Sequence, residues 1–430
     1  MKAYELPDNQ NIISDFESAA ARYASFGIDV NSAMQQALKI PISIHCWQAD
    51  DVRGLEQSVA FSDGGGIAAT GNYPGRARSG DEIRQDLAKV LELLPGTHKV
   101  NLHAFYAEDT EGADRDKYEP GHFARWLSWA KGLGVGLDFN PTYFSHPKAD
   151  DGFTLSHPEK EIRDFWVNHG IACRRIAEVF GRETGQPSII NHWIPDGIKD
   201  TPADRWEPRA RLLESLDRIF SDKLGIDREL CIDSVEGKLF GIGSEDFVAG
   251  STEFYSHYAL TRGITLCLDM GHFHPTETIV DKISAFMQFH KRLLLHVSRP
   301  VRWDSDHIVI FNDDLRGVFH ELVRGNALDR AFVALDYFDA SVNRITAYVT
   351  GARAARKAIL YALLEPVELL KQMEKEGMGG SKLAFIEELK TMPFGAIWNK
   401  LCLDDGVPAS SSWIREVEDY EKHVLRKRTD

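Results

Sequence analysis

ITLCLD, from Ile264 to Asp269, and LLLHV, from Leu293 to Val297, are short apolar runs that carry an ionisable residue near their carboxyl end. Six more such runs lie at residues 41–46, 99–106, 135–140, 188–194, 229–235 and 332–337. Continuous Val, Ile and Leu content is typical of parallel strands that are buried on both faces. Because helical segments alternate with the eight runs, the sequence predicts a (β/α)8 TIM barrel. Two half-barrel domains or a doubly wound sheet would give a similar rhythm.

The two ends of the chain are predicted to be helical extensions of this barrel. Apolar residues between 12 and 40 recur at helical spacing, and the pattern after residue 341 is helical throughout. We therefore expect an N-terminal helical extension at 1–40, the barrel at 41–341 and a C-terminal helical extension at 342–430. Such an appendage can cover its own barrel or a neighbouring subunit, and we favour the second interpretation.

Composition and charge limit the classes of partner. The formal net charge of -15 argues against a nucleic-acid partner, because phosphate binding needs clustered Lys and Arg. No run reaches the roughly 18 apolar residues of a membrane span, and the polar N-terminus does not resemble a secretory signal. The five cysteines are widely spaced without a CxxC pair, which is typical of reduced thiols. We expect a soluble, cytoplasmic protein.

Carboxylates and imidazoles follow the strands of the C-terminal half. In a (β/α)8 barrel the chemistry lies at the carboxyl ends of the strands, so these side chains indicate a metal site. The donors divide into two plausible sets, which are Glu236, Asp269, His296 and Asp336 in one and His272, Asp304 and Asp306 in the other. Oxygen-rich sets without a thiolate favour Mn²⁺ or Mg²⁺, with Zn²⁺ or Co²⁺ possible. So many buried like charges would be untenable without cations, so metal binding should also stabilise the fold.

Local spacing supports several of these donors. Gly271 would let the backbone turn so that Asp269 and His272 both face the barrel mouth, although a helix-capping Asp and a core histidine would look the same in sequence. Asp304 and Asp306 would share a face if the backbone between them is extended, as would Glu236 and Lys238. The alternatives are an Asp-rich surface turn for the first pair and a salt bridge for the second.

Polar groups and indole rings follow the first four strands. Trp47, His103 and Trp193 are the main examples. Aromatic walls with a few placed polar groups are a common way to bind a sugar, whose faces are apolar and whose rim carries hydroxyls. Aromatic core packing is the alternative for any one of these rings.

Taken together, these segments resemble the bacterial L-rhamnose isomerase family over nearly the whole chain. The resemblance is carried by HCWQ at 45–48, TGNYPG at 70–75, NLH at 101–103, LDFNP at 137–141, FSHP at 144–147, WIPDG at 193–197, KLFGIG at 238–243, GHFHPTE at 271–277 and HVSRPVRWDSDH at 296–307. It implies a homotetramer that converts L-rhamnose to L-rhamnulose with two divalent ions per subunit, commonly Mn²⁺. In that family the set with Glu236 corresponds to a structural ion, and the set with His272 to a catalytic ion.

The resemblance also suggests which residues surround the sugar. The candidate catalytic residues are His103, Lys238 and Asp336, and the candidate sugar-binding residues are Trp47, His103, Trp193 and Lys238. Our hypothesis is a metal-mediated hydride shift between C1 and C2 of the open-chain sugar. Another metal-dependent aldose-ketose isomerase, a ketose epimerase, a metal-dependent hydrolase and a non-enzymatic sugar-binding protein are the alternatives.

Overall fold

Eight parallel strands close into a barrel in the computed structural model, which describes residues 7–47, 54–56, 73, 75–238, 246–302 and 304–428. The strands in chain order are β1 (Ile42–His45), β2 (His98–His103), β3 (Gly136–Asn140), β4 (Ser188–Trp193), β5 (Gly197–Ile198), β6 (Cys231–Glu236), β7 (Phe247–Val248), β8 (Thr265–Asp269), β9 (Leu293–Val297) and β10 (Ala331–Leu335). The short β5 and β7 form a separate antiparallel pair, which the sequence did not predict. The predicted barrel is confirmed, because β1 pairs with both β2 and β10.

The helices surround the barrel and extend beyond it. They are α1 (Asn9–Ala24), α2 (Val30–Lys39), α3 (Gly80–Leu91), α4 (Ala124–Leu133), α5 (Lys160–Thr184), α6 (Trp206–Ile219), α7 (Thr252–Arg262), α8 (Val280–Met287), α9 (Asp313–Arg324), α10 (Arg344–Leu363), α11 (Val367–Lys375), α12 (Gly379–Leu389), α13 (Phe394–Asp404) and α14 (Trp413–His423). Side chains cap several of them; Asp29, for example, accepts from the backbone N–H groups of Asn31 and Ser32 at the start of α2. Among the described helices, none is long and apolar enough to cross a membrane.

The helix α10 packs as part of the barrel. It contacts β1 and lies against α2, α3 and α9, which is the place of an eighth barrel helix. The predicted boundary at residue 341 separates this helix from the strands that it covers, and we therefore propose that the barrel continues to Leu363. The two extensions also pack on each other, because α1 contacts α13.

An apolar layer fills the barrel interior beneath the strand ends. Its members are Ile189, Ile232, Cys267, Leu294 and Ala334, with Phe332 packed against them. Side chains two residues further along each strand face the same way. This alternation places Asn191, Asp269, His296 and Asp336 one step above the apolar layer, at the carboxyl ends of their strands.

Candidate metal centre

Four of the predicted ligands meet above the apolar layer. One donor atom from each of Glu236, Asp269, His296 and Asp336 lies within 4.8 Å of the other three. His296 Nδ1 is 3.3 Å from Glu236 Oε2, 3.7 Å from Asp269 Oδ2 and 3.3 Å from Asp336 Oδ2. The strand register brings these side chains together, since Asp269 pairs with His296 across β8 and β9. We call these four residues the inner cluster.

A second group of donors shares Asp269 with the inner cluster. It consists of Asp269, His272 and Asp304, and His272 Nε2 lies 3.4 Å from Asp304 Oδ2. Gly271 allows this approach, because a Cβ atom at that position would lie 2.5 Å from Asp304 Oδ1. We call these three residues the outer cluster.

Asp306 is placed differently from the sequence-based expectation. Its φ of 43° lies in the left-handed region, so the backbone from Asp304 to Asp306 is not extended and the two carboxylates do not share a face by strand alternation. Asp306 lines the same cavity as the clusters, but among the described residues Asp269 completes the donor group of His272 and Asp304. Trp303, which precedes Asp304 in the sequence, lies outside the described residues.

The buried carboxylates repel one another, and this repulsion shows in their pKa values. Burial, and after it the charge of Glu236, raises the pKa of Asp269 to about 7, with His272 opposing the shift. Burial and the charge of Asp304 raise the pKa of Asp306 well above its usual range. Burial disfavours the ionised form of Glu236, but His296 and His272 outweigh it and hold the pKa of Glu236 low. Cations would relieve this repulsion.

Several donor atoms of the clusters fail the geometry of a hydrogen bond to any described residue, although some lie near an oppositely charged group. Asp269 Oδ2, Asp304 Oδ1 and both ring nitrogens of His296 are buried and make no hydrogen bond to any described residue. Unpartnered buried carboxylate oxygens are costly unless something compensates them. The donor set and its orphaned atoms therefore fit two divalent cations that share the Asp269 carboxylate.

Other atoms of the ligands are held in place by neighbours. Trp47 Nε1 donates to Asp336 Oδ1 at 3.0 Å, and the backbone N–H of Gly271 donates to Asp269 Oδ1 at 2.6 Å. The side-chain amide of Asn191 donates to Glu236 Oε2. Such outer partners orient metal-binding side chains and tune their affinity.

The clusters open into a cavity with one polar and one aromatic side. Its lining consists of Trp47, His103, Phe105, Asn140, Phe144, Trp193, Glu236, Lys238, His272, His296, Asp306, Asp336 and Phe338. This mixture of surfaces suits a small polyhydroxylated ligand. Phe338 is a wall residue that sequence reasoning missed, although it follows Asp336 by two positions on the same chain segment.

Comparison with known proteins supplies the deciding observation. The family model described as "L-rhamnose isomerase (RhaA)" matches residues 10–428. The chain belongs to the L-rhamnose isomerase family. It is 53% identical over 420 residues to the L-rhamnose isomerase of Rhodopirellula baltica, covering 98% of both chains. It is 52% identical over 414 residues to that of Salmonella typhi, covering 96% of this chain and 98% of the relative.

Comparison with solved structures gives a match of low sequence identity. An L-ribulose 3-epimerase aligns with a TM-score of 0.47 at 14% identity, over 77% of this chain and 97% of the other.

Two further residues of this family member face the cavity from opposite sides. Lys238 Nζ lies 2.9 Å from Asp304 Oδ2 and 4.7 Å from the centre of the Trp193 ring. Burial disfavours its charge, but Asp304 outweighs this and raises the pKa of Lys238. Glu236 and Lys238 both line this cavity, which agrees with the expectation from their spacing in the sequence.

His103 lies on the aromatic side of the cavity. Its ring stacks on Phe105 at 5.0 Å and meets the edge of Trp47 at 4.7 Å. Burial lowers the pKa of His103 to about 3, so the imidazole is neutral at physiological pH. Nδ1 lies 3.0 Å from Thr142 Oγ1, a partner that sequence reasoning missed, and this contact leaves Nε2 for a ligand.

Proposed function

We propose that this protein catalyses the reversible isomerisation of L-rhamnose to L-rhamnulose. Family membership over nearly the whole chain supports the reaction, and the site supplies the chemistry that it needs. The observation that carries the proposal is the pair of donor clusters that share Asp269 beneath a cavity with aromatic walls.

We assign the inner cluster to a structural ion and the outer cluster, with Asp306, to a catalytic ion. Three carboxylates and one imidazole surround the inner position, whereas two carboxylates and one imidazole at the outer position leave room for water or substrate. Both positions contribute side chains to the cavity lining. Oxygen-rich donors support Mn²⁺, with Mg²⁺, Zn²⁺ and Co²⁺ as the other candidates. When bound, a divalent ion at the outer cluster would polarise the sugar carbonyl as a Lewis acid.

Lys238 is suited to stabilise negative charge on a sugar oxygen. Its ammonium lies at the boundary between the outer cluster and the cavity, and Trp193 and Asp304 fix its position. A charged donor that is held in advance costs no reorganisation when charge develops on the substrate. In this role Lys238 remains protonated throughout the reaction.

His103 is suited to assist opening of the sugar ring at the C1–O5 bond, and a hydrogen-bonding role toward the sugar is equally consistent with its position. A neutral imidazole can accept a proton at Nε2 or donate one there, depending on its tautomer. The contact of Nδ1 with Thr142 Oγ1 holds the ring so that Nε2 faces the cavity. Trp47 and Trp193 would pack against the apolar faces of the sugar.

Asp336 was also a candidate for a direct catalytic role. Its carboxylate contacts His296 and accepts the hydrogen bond of Trp47, and it lines the cavity. These contacts support a role as inner ligand at the edge of the substrate site.

Hydrogen transfer between C1 and C2 is proposed to occur as a hydride shift on the open-chain sugar. L-Rhamnose deuterated at C2 tests this proposal, because a hydride shift retains the label in L-rhamnulose. Wholesale loss of deuterium to solvent would support a proton-transfer enediol route instead.

The activity itself is tested with metal-loaded protein and three sugars. L-Rhamnose is expected to give the ketose most rapidly, and L-mannose and L-lyxose test the breadth of the site. Absence of ketose from all three sugars, with the metal shown to be bound, would contradict the proposal.

We also propose a homotetramer in the cytoplasm. Apolar side chains on α11 and α12 and in the turn between them support a subunit contact, since Leu369, Met378 and Leu383 are 38%, 40% and 64% exposed. All five cysteines are buried, which supports a reducing compartment. Analytical ultracentrifugation tests the tetramer, and a Leu383→Glu variant is expected to weaken it.

A further inference from the structure

Arg115 is a buried residue that holds one wall of the cavity from outside. It is 2% exposed and lies in the segment between β2 and α4. Its guanidinium donates to the backbone carbonyls of Thr142, Phe144 and Ser145 at 2.9, 2.6 and 2.9 Å. These residues form the turn that follows β3, and Phe144 lines the cavity. The lining formed by the described residues does not include Arg115, so its contact with the site is indirect.

Thr142 is held a second time through His169 in α5. The Thr142 N–H donates to His169 Nε2 at 3.0 Å, so the other ring nitrogen carries the proton and donates to the Arg115 carbonyl at 3.0 Å. Burial lowers the pKa of His169 to about 3, and the neutral ring can therefore accept at one nitrogen and donate at the other. The backbone of Thr142 is thus fixed at both its carbonyl and its N–H. Its hydroxyl in turn lies 3.0 Å from His103 Nδ1.

Glu56 fixes the guanidinium on its other side. Arg115 Nε and Nη2 donate to the two carboxylate oxygens of Glu56 at 2.9 and 2.7 Å, and Tyr118 Oη donates to Oε1 at 2.8 Å. Burial disfavours the ionised form of Glu56, but Arg115 outweighs it and lowers the pKa of Glu56. With the three carbonyls, this carboxylate occupies all five guanidinium N–H groups. A lysine ammonium cannot reproduce this planar set of contacts.

The turn after β3 needs such support. Ser145 has a φ of 53°, in the left-handed region that a residue with a side chain rarely adopts. Such a conformation persists where the surrounding contacts over-determine it, and the hydrogen bond from Arg115 is one of these contacts. The ring of Phe144 meets the rings of His103 and Trp193 edge-on, with 5.5 Å between the ring centres in each pair. Release of the turn would therefore displace a wall of the cavity.

We propose that Arg115, held by Glu56, is a positioning residue that orients His103 through Thr142 and sets the place of Phe144 in the cavity wall. The proposal rests on the proposed sugar isomerisation and adds a residue on which the reaction depends. The alternative is that Arg115 only stabilises the fold.

Arg174 provides a matched control, because it is a buried arginine with the same kind of contacts elsewhere. It is 1% exposed, donates from Nε and Nη2 to the two oxygens of Asp233 at 2.7 Å each, and donates from Nη1 to the Ile219 carbonyl at 2.6 Å. None of these three residues belongs to the cavity lining.

The first experiment compares Arg115→Lys with Arg174→Lys in the metal-loaded, full-length protein. Both variants should have a lower melting temperature. At a temperature at which circular dichroism shows both to be folded, kcat/KM for L-rhamnose should fall by about 10–100-fold in Arg115→Lys, because small displacements of groups around a substrate have effects of this order. It should remain near the wild-type value in Arg174→Lys. Equal kcat/KM in the two variants would mean that Arg115 is only structural.

A double-variant cycle tests whether the effect passes through Thr142. Thr142→Val keeps the shape of the side chain and removes the hydroxyl that contacts His103. If Arg115 acts through Thr142, the two losses overlap, and the combined variant should lose less than the product of the two single losses. A loss equal to that product would overturn the proposal.

Glu56→Gln tests the same ion pair with a smaller change. It keeps the length of the side chain and removes its charge, so kcat/KM should fall by a smaller factor than in Arg115→Lys. Unchanged kinetics in the folded Glu56→Gln variant would overturn the proposal even if Arg115→Lys failed to fold.

The ¹⁵N signals of His103 separate failure of this proposal from failure of the proposed function. They are identified in solid-state spectra of histidine-labelled protein as the signals lost in His103→Gln. If the wild type forms ketose and Arg115→Lys is as active, the positioning role is wrong and the isomerase function stands. If the wild type forms no ketose, the function is wrong and the spectra decide the positioning role. A shift of the His103 signals in Arg115→Lys but not in Arg174→Lys would support it, and unchanged signals would overturn it.

Discussion

The indole of Trp47 donates a hydrogen bond from Nε1 to Asp336 Oδ1 at 3.0 Å, although 289 positions separate the two residues. The bond joins the residues that follow the first and last strands, where the barrel closes. It also fixes the carboxylate whose other oxygen, Oδ2, lies 3.3 Å from His296 Nδ1. Barrel closure and metal-site geometry are therefore coupled through one hydrogen bond.

Replacing Trp47 by Phe should weaken the inner metal site. The variant keeps an aromatic ring but loses the donor to Asp336, and loss of such outer partners typically lowers metal affinity by about 10–100-fold. Competition titration of metal-free protein with a chelator measures the change. Trp206→Phe is the control, because Trp206 is 87% exposed. Equal affinities in the Trp47 variant and wild type would show that the hydrogen bond does not orient Asp336.

Replacing Asp304 or Asp306 by Asn should abolish turnover and leave the fold largely intact. Asp304 holds Lys238 and belongs to the outer cluster, so its loss removes a cation ligand and frees the ammonium. We expect kcat to fall by about 1000-fold or more for Asp304→Asn. Asp306→Asn distinguishes a ligand from a wall residue, since a wall residue would change KM more than kcat.

The exposed Asp314 in α9 offers a matched control for these two variants. Asp314→Asn is expected to retain wild-type kcat and KM, measured as ketose formation with saturating metal. Circular dichroism checks the fold of all three proteins. Full activity in Asp304→Asn would remove this residue from the catalytic ion.

The sequence predicted those features that leave a local signal. Parallel strands buried on both faces leave unbroken apolar runs, and so all eight strands were found close to their observed bounds. The ligands at the ends of β8 and β9 followed from the same runs, because the barrel fold places strand ends together.

Other features depend on tertiary context and left no such signal. The positive φ of Asp306 arises in a connection whose backbone conformation is set by its neighbours, for example the hydrogen bond from the Phe338 N–H to the Asp306 carbonyl. The assignment of α10 could not be made from helical periodicity, which does not identify the surface that a helix covers. The buried Arg356 in α10 shows this surface, because it donates to backbone carbonyls of Pro95 and Thr97 beside β2.

The inner cluster should stabilise the fold more strongly when a cation is bound. Glu236→Gln removes a cation ligand, and it also removes a carboxylate that His296 and His272 stabilise, so the metal-free variant should be less stable than the metal-free wild type. Divalent ion at 100 times its Kd would stabilise the wild type by about 2.7 kcal/mol, and the variant should lose most of this gain. Melting temperatures with Mn²⁺ and with a chelator measure both effects.

His296→Ala should lose the same metal-dependent gain, because it removes the imidazole at the centre of the inner cluster. Glu214→Gln, on the exposed face of α6, is the control and should keep the wild-type difference between the two melting temperatures. An unchanged difference in Glu236→Gln would count against the structural role of the inner cluster.

His98 should make the stability of the protein depend on pH in the mildly acidic range. Burial, with a smaller contribution from the charge of Arg356, lowers the pKa of His98 to about 3. The unfolded chain binds a proton near pH 6.5 and the folded chain does not, so this contribution is fully present above pH 6.5 and is lost as pH falls toward 3. Between pH 7.5 and 5.0 the loss should be about 2 kcal/mol. Urea unfolding at both pH values measures the decrease in the free energy of unfolding. In His98→Gln this decrease should be smaller by the amount that His98 contributes. His257→Gln, on the exposed surface of α7, is the control and should retain the wild-type decrease. Equal decreases in His98→Gln and wild type would mean that His98 is protonated in the folded protein or contributes equally to both states.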